Sequence, residues 1–313
     1  MLITSTSVAL LACSHYRTRE IAEKIDRLCA ALRFTVGVGS RVLLKPNLLS
    51  ARSGEHLACT HPAFVAAVAE WFLDQGAKVA IGDSPVFGTA KGVMRATGIE
   101  KALAGLPVEC INFDQSATVK LPGGVSVDMA RAAMECDLLV NLPRVKAHSQ
   151  LFVTLAVKNY FGTVVGFQKA WWHLRYGNHA EQFASHLVDL LTVLPAGVTL
   201  VDGIVAMHGT GPISGRPFSL GLVAGAINPV ALDTALLQIL GLDPTQSVIW
   251  QECANRDLAG IDPARLDFPL LKPAGISVNN FKAPTTLNPV SFNPLRMLIS
   301  AFRRFAARVK ESP

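Results

Sequence analysis

The chain has 313 residues, of which 50% are hydrophobic and 17% charged, and 29 Lys and Arg against 23 Asp and Glu give a formal net charge of +6. This length and apolar content predict an ordered protein with a large buried core and exclude a disordered chain, which requires low hydrophobicity and high net charge. The mild positive charge suits an anionic ligand, an acidic surface or a membrane face. It does not by itself indicate nucleic acid, so we expect no nucleic-acid partner.

Apolar runs that are typical of strands alternate with helical patterns along the chain. Strands are predicted, in chain order, at 7–13, 41–44, 78–81, 137–142, 198–201 and 220–226, with a hairpin at 118–128. Helices are predicted at 21–32, 60–75, 91–103, 129–136, 182–194 and 230–240, the second of them capped by Thr60. Because buried strands that alternate with helices imply right-handed crossovers, we expect an α/β fold with a mostly parallel sheet and helices on both faces.

The same patterns predict one α/β domain over 1–280, with candidate lobes 1–140 and 141–280 around a crevice. A linker rich in Pro, Asn and Thr follows at 281–294. Residues 295–313 then predict a basic amphipathic helix, with an apolar face and interspersed arginines. That helix either docks on its own domain or binds an anionic membrane surface or a protein partner.

The six cysteines are scattered, and none belongs to a C-x-x-C pair, which argues against a zinc knuckle and a ferredoxin-type cluster. We therefore do not expect an iron–sulfur cluster, and other cofactors stay open. Residues 8–13 resemble the end of a lipoprotein signal peptide, but no Lys or Arg precedes them, which favours a buried first strand. No apolar run is long enough to span a bilayer, and scattered thiols favour the cytoplasm, with peripheral membrane attachment as an alternative.

Polar side chains follow four of the predicted strands at the points where those strands end. They are Lys45 and Asn47; Asp83 and Ser84; Asn141, Arg144, Lys146 and His148; and Asp202. Because ligands of open parallel sheets bind outside the carboxyl ends of the strands, we expect these side chains to converge on one crevice. The alternative is that they only start turns, which explains Asn141 and Asp202 well but explains the two lysines poorly.

Two further segments add candidate ligand contacts. Lys158 and Asn159 lie inside an apolar stretch, where the lysine either snorkels at a helix edge or adds a third cation to the crevice. Such a lysine can hold an anion, act as a base or form a Schiff base. The Gly-rich loop after 201 carries Gly209 and Gly211, whose N–H groups can bind an anion, although it is neither a P-loop nor a dinucleotide-binding fingerprint.

These residues predict an enzyme that binds a small carboxylate or phosphate metabolite at the carboxyl edge of the sheet. We expect catalytic roles for Asp83, His148 and Asp202. Predicted substrate contacts are Lys45, Asn47, Ser84, Lys146, Lys158, Asn159, Gly209 and Gly211. A metal site is only weakly indicated, because no H-E-x-x-H motif occurs, and its candidate ligands are His148, His173 and His208. The alternative is a non-catalytic redox or maturation accessory protein that docks to a partner or membrane.

Several ordered blocks resemble a prokaryotic family called domain of unknown function 362. They are Lys45-Pro46-Asn47, Thr60-His61-Pro62, Gly82-Asp83-Ser84-Pro85, Lys146 with His148, 157–162, Asp202-Gly203, 209–212 and 229–233. The resemblance implies a relative of proteins that often carry iron–sulfur clusters, but this chain lacks clustered cysteines. It also has Met207-His208-Gly209 where relatives carry Met-Glu-Gly. The Thr-His-Pro and Gly-Asp blocks further suggest a distant likeness to the nickel-pincer lactate racemase group, and hence a metal- or cofactor-dependent isomerase as a third alternative.

Overall fold

A computed structural model describes residues 4–165, 168–176 and 179–287, without the side chains at 53–55, 170, 173 and 174. The strands of these ranges are β1 Ala9–Ala12, β2 Arg41–Pro46, β3 Lys78–Asp83, β4 Val108–Asn112, β5 Ser116–Lys120, β6 Ser126–Ala130, β7 Leu138–Leu142, β8 Arg144–His148, β9 Phe152–Thr154, β10 Gly197–His208 and β11 Arg216–Ala226. The helices are α1 Thr18–Ala31, α2 Pro62–Asp74, α3 Ala90–Thr97, α4 Ile99–Ala102, α5 Arg131–Glu135, α6 Ala156–Asn159, α7 Gln168–Arg175, α8 Ala180–Asp189, α9 Pro229–Ile239 and α10 Val248–Asn255. The predicted helix at 295–313 and the second half of the predicted linker, from 288, lie outside the described residues.

The main sheet runs in the order β1-β11-β10-β7-β2-β3-β4, and β8 and β9 extend it beside β10. β4, β3, β2, β7 and β10 are mutually parallel, β8 is parallel to β10, and the β10–β11, β1–β11 and β8–β9 pairs are antiparallel. β5 and β6 form a separate hairpin, as predicted at 118–128. The predicted α/β fold with a mostly parallel sheet is therefore confirmed.

Both faces of the sheet are covered, and β2 shows how its sequence achieves this. Val42 and Leu44 pack with α1 and α2 on one face, whereas Leu43 between them packs with Tyr160 on the other. Successive side chains of a strand point to opposite faces, so a strand covered on both sides must be apolar throughout. No helix within the described ranges has the length and apolar character that a membrane crossing requires.

Several predicted boundaries need correction. The cap of α2 is His61, whose Nδ1 accepts a hydrogen bond from the N–H of Ala63, while the Thr60 hydroxyl donates to the carbonyl of Leu142. The helix predicted at 91–103 is broken by Gly98, whose φ of 86° ends one helix and starts the next. β4, β8 and β9 were not predicted.

The correction with most consequence concerns β10. The strand predicted at 198–201 extends to His208, so Asp202 lies in the middle of a strand and not at its exit. Asp202 is paired with Val223 of β11 in the sheet. Asp202 was expected beside the other polar side chains because it was predicted to end a strand. Since the strand continues past it, that expectation no longer has a basis.

Candidate functional site

A cavity of about 80 Å³ lies at the carboxyl edge of the sheet, between the loops that follow β2 and β3, the strand β8, and the helices α6 and α7. Its polar lining consists of Asn47, Asp83, Ser84, Lys146, His148, Lys158, Asn159 and Lys169. All of these except Lys169 are among the side chains predicted from the sequence. The predicted side chains at and just after the ends of β2 and β3, and those on β8, therefore lie together at this cavity.

A larger groove of about 880 Å³ lies at the opposite edge, where β2 and β3 begin. Its charged residues are exposed and of both signs, for example Arg41, Lys78, Glu109 and Glu135. Ligands of parallel sheets bind at the carboxyl edge, and no set of buried polar side chains converges in this groove among the described residues. The smaller cavity is therefore the candidate site.

A buried ion pair forms the floor of the site. Lys45 at the end of β2 is 0% exposed, and its Nζ lies 3.0 Å from Oδ1 of Asp83 at the end of β3. The same ammonium group donates to the carbonyl of Pro46, and the other Asp83 oxygen accepts from the N–H of Leu48 at 2.9 Å. Burial lowers the pKa of Lys45, and the carboxylate of Asp83 opposes that shift.

Gly162 allows the backbone to approach this pair. A Cβ at this position would lie 2.0 Å from Oδ1 of Asp83 and 2.2 Å from Nζ of Lys45, closer than any side chain allows. The carbonyl of Gly162 also accepts the N–H of Ser84 at 3.2 Å, which ties the loop after β3 to this turn. The glycine therefore fixes the position of the Lys45–Asp83 pair.

A chain of side-chain amides crosses the site and orients Lys146. Its ammonium group donates to the carbonyl of Ala58 at 2.9 Å and to Oδ1 of Asn47. The Asn47 amide donates to Asn159 at 2.7 Å, and the Asn159 amide donates to Asn141 at 2.8 Å. Each amide accepts on one side and donates on the other, which fixes all three side chains. Asn141, predicted to face the crevice with turn formation as the alternative, is a buried member of this chain of amides.

Lys158 belongs to the short helix α6, which an acidic side chain of α9 holds in place. Asp233 accepts the N–H groups of Ala156 and Val157 at 2.7 and 3.2 Å, at the amino end of α6. The Nζ of Lys158 lies 5.8 Å from the ring centre of Phe161, and within the described residues it makes no hydrogen bond or ion pair. Burial, and then the neighbouring lysines, lower the pKa of Lys158 to about 7, with Asp83 opposing.

Lys169 of α7 is the site residue that sequence reasoning missed. It is 5% exposed, and its Nζ donates to the carbonyls of Ser84 and Gly162 and lies 5.8 Å from the ring centre of Phe161. The available sequence signal was the same as for Lys158, a lysine beside large apolar residues, here Trp171 and Trp172. The cavity therefore contains three lysines, and its carboxylate is already paired with a fourth.

His148 reaches the cavity from the end of β8 with a defined tautomer. Its Nδ1 accepts the N–H groups of Gln150 and Leu151 at 3.1 and 3.2 Å. A nitrogen that accepts two hydrogen bonds carries no proton, so the neutral ring bears its proton on Nε2. In this tautomer Nε2 is a hydrogen-bond donor, and Nδ1 is held as an acceptor by the backbone.

Asp202 lies in a separate buried cluster. Its oxygens accept from the hydroxyl of Tyr16 at 2.7 Å and the N–H of His61 at 2.9 Å, and Arg144 lies 3.9 Å away. These groups tie α1 and α2 to β8 and β10. Asp202 does not line the cavity, and its contacts are those of a structural carboxylate.

The glycines of the loop after β10 also lie outside the cavity wall, which their neighbours Pro212 and Ile213 form instead. The N–H of Gly209 donates to the carbonyl of Lys282 at 2.6 Å, and the carbonyl of Gly211 accepts the N–H of Ser149. Gly211 packs so closely on β8 that a Cβ would meet the carbonyl of Ala147 at 1.7 Å. The predicted anion contact through the N–H of Gly209 is therefore wrong, because that donor is already used.

The metal candidates are not brought together. His208 packs against Phe218 and Phe281, away from the cavity, and the side chain of His173 lies outside the described residues. Among the side chains that the structure does describe, no group of three or more His, Cys, Asp or Glu is placed to hold a metal ion.

Comparison with known proteins identifies the family. The model of the family described as Domain of unknown function (DUF362) matches residues 42–238, more than half of the chain and nearly all of the site. A thylakoid-associated protein of Synechocystis is 36% identical over 313 residues, which cover 98% of this chain and 97% of the relative. The chain therefore belongs to the DUF362 family, as its sequence blocks predicted.

Solved structures give only a distant likeness. A protein from Thermotoga maritima matches with a TM-score of 0.44 and 13% identity, covering 66% of this chain and 55% of that one. The lactate racemase apoprotein from Thermoanaerobacterium thermosaccharolyticum matches with a TM-score of 0.43 and 15% identity, covering 73% and 57%. This chain thus spans little more than half of either protein. Scores at this level carry no functional argument, and the isomerase alternative stays a prediction.

Proposed function

We propose that this member of the family binds a small anionic metabolite through a carboxylate or phosphate group in the lysine cavity, beside the Nε2–H of His148. The observation that carries the proposal is the charge of the lining. Buried Lys146 and Lys169 and half-buried Lys158 face one cavity, and among the described side chains that line it the one carboxylate, Asp83, is already paired with Lys45. Buried cations without matching carboxylates are costly unless an anion compensates them.

The geometry also supports recognition of a compact group. The cavity of about 80 Å³ is small, and its lysines reach it from three separate elements, β8, α6 and α7. Ammonium groups that converge from different directions suit the distributed charge of a carboxylate or phosphate. The Nε2–H of His148, which also lines the cavity, is a further hydrogen-bond donor.

Calorimetric titration of the full chain with inorganic phosphate and with pyruvate tests the proposal. We expect saturable binding of at least one of these probes and a loss of about tenfold in affinity for Lys158→Ala, which corresponds to about 1.4 kcal/mol. Lys120→Ala, on the exposed hairpin strand β5, is the matched control and should bind like wild type. Binding of neither probe by the folded wild-type protein, or equal binding by Lys158→Ala, would contradict the proposal.

A second candidate function is attachment to an anionic membrane surface through residues 295–313. Two observations favour it: the basic amphipathic pattern of that segment, and the thylakoid association in the name of the Synechocystis relative. Cosedimentation with vesicles that contain anionic lipid tests it. We expect the full chain to bind in a salt-sensitive manner and a chain truncated after 294 to stay in the supernatant. Equal binding by both would exclude the segment as the anchor.

A further inference from the structure

The amine of Lys158 differs chemically from the other three lysines of the site. Lys45, Lys146 and Lys169 each donate hydrogen bonds to protein oxygens, which hold their nitrogens as ammonium donors. Lys158 has no such acceptor within the described residues, and its Nζ lies 5.8 Å from the ring centre of Phe161. Among the four lysines, Lys158 is therefore the one whose amine gives up no protein hydrogen bond of the described residues when it loses its proton.

The surroundings of Lys158 favour the neutral amine. Burial and the charges of Lys146, Lys169 and Lys45 lower the pKa of Lys158 to about 7, and among the described groups Asp83 opposes the shift. A lysine that is desolvated next to other cations is the recognised arrangement for an amine nucleophile.

We propose that Lys158 forms an imine with the carbonyl group of a short oxo acid whose carboxylate is held by Lys146 and Lys169. The inference rests on the proposed function, because the same anion site positions the substrate. It narrows the substrate class from any small anion to one that carries a ketone or aldehyde beside its acidic group.

The step balances with groups that are present in the cavity. The Lys158 nitrogen adds to the carbonyl carbon, and one N–H proton moves to the carbonyl oxygen to give a carbinolamine. The hydroxyl then leaves as water with a proton from the ammonium group of Lys146, whose pKa burial lowers to about 8, so the iminium carries one positive charge and Lys146 becomes neutral. That charge forms beside the substrate carboxylate, which stabilises it. Hydrolysis reverses every step, so no oxidant or reductant is needed.

Reductive trapping tests the inference on the full chain. Pyruvate is added with sodium borohydride, which reduces an imine to a stable secondary amine, and the modified lysines are mapped by peptide mass spectrometry. We expect the reduced pyruvate adduct on Lys158 to form at least about tenfold faster than on exposed Lys120, and phosphate to compete with it. Lys158→Arg keeps the charge but cannot form an imine, so it should abolish the adduct at this position. Lys158→Gln replaces it if the arginine variant does not fold.

The outcomes separate this inference from the proposed function. Calorimetric binding of pyruvate without an adduct on Lys158, or with labelling no faster than that of Lys120, overturns the imine and leaves anion binding intact. Absence of calorimetric binding for both phosphate and pyruvate overturns the anion site, and the imine with it. A fast adduct on Lys158 that phosphate does not reduce shows that the anion is held elsewhere and overturns the assignment of the carboxylate to this cavity.

Discussion

Removal of the carboxylate from the floor of the site should destabilise the protein strongly. In Asp83→Asn the ammonium group of Lys45 loses a partner 3.0 Å away, while both side chains remain buried. At an effective dielectric constant of about 20, that attraction amounts to about 5.5 kcal/mol. In the variant, Lys45 can reduce this loss by releasing its proton and becoming neutral. From an ordinary pKa of 10.5, that release at pH 7 costs about 4.8 kcal/mol, so the loss of stability cannot exceed about this value. We therefore expect the free energy of unfolding to fall by about 3 to 5 kcal/mol at pH 7.

Release of the Lys45 proton also makes the loss of stability depend on pH, with a sign that can be worked out. If Lys45 is neutral in the folded variant and protonated in the unfolded chain, the unfolded state binds one more proton. The free energy of unfolding then rises with pH, by about 1.4 kcal/mol per unit up to the unfolded pKa. Urea unfolding of wild type and variant at pH 7, 8 and 9 should therefore show a gap that narrows as the pH rises.

Two further variants make the result specific. Asp137→Asn breaks an exposed ion pair with Arg41, which lies at the start of β2, the strand that carries Lys45 near its end. It should change the free energy of unfolding little. Adding Lys45→Met to Asp83→Asn removes the uncompensated charge and should recover part of the loss. A loss below about 1 kcal/mol for Asp83→Asn, or no recovery in the double variant, would refute the reasoning.

The remaining predictions concern the groups that place the lysines and the protonation of one of them. Gly162→Ala should cost about 1 to 3 kcal/mol in urea unfolding and weaken phosphate binding, whereas Gly275→Ala, with nothing within 4 Å of the added methyl, should do neither. Asp233→Ala leaves two N–H groups of α6 without their acceptor, so we expect the free energy of unfolding to fall by about 1 to 3 kcal/mol and phosphate to bind more weakly. Unchanged phosphate binding would show that Asp233 is not needed to hold α6 in place. Affinity for sulfate, whose charge is constant, should fall as the pH rises above 7, because first Lys158 and then Lys146, with pKa values of about 7 and about 8, must regain a proton to bind it. The fall is up to about tenfold per unit for each lysine, and a flat calorimetric profile from pH 6 to 9 would contradict this.

Most of the site could be predicted because strand exits are visible in a sequence. A continuous apolar run followed by Lys, Asn, Asp or Ser marks a buried strand and the polar edge it reaches, as at Lys45 and Asp83. The same rule placed Lys146 and His148 correctly, although they lie within β8 itself. Lysine was the informative residue type, because turn formation does not explain it.

Two errors have physical causes that lie outside local sequence patterns. Asp202 looked like an exit because a carboxylate followed by glycine usually ends a strand. The strand continues because Tyr16 and the N–H of His61, both distant in sequence, satisfy that carboxylate. Lys169 was missed because its helix comes to the cavity from outside the sheet, and no local pattern encodes that packing.

The hydrogen-bond acceptors around the four lysines determine which of them bind an anion as ammonium groups and which one can react as an amine. The ammonium groups of Lys45, Lys146 and Lys169 donate hydrogen bonds to protein oxygens, and Lys45 is also paired with the carboxylate of Asp83. Carbonyl oxygens satisfy the donors of Lys146 and Lys169 but do not neutralise their charge, which an anion in the cavity would do. Within the described residues Lys158 lacks that support, so its proton equilibrium is the one that an incoming anion changes most. Anion binding, proton uptake and imine formation therefore all depend on Lys158. Calorimetry, the pH profile of sulfate binding and borohydride trapping measure the effect of its substitution on each of them.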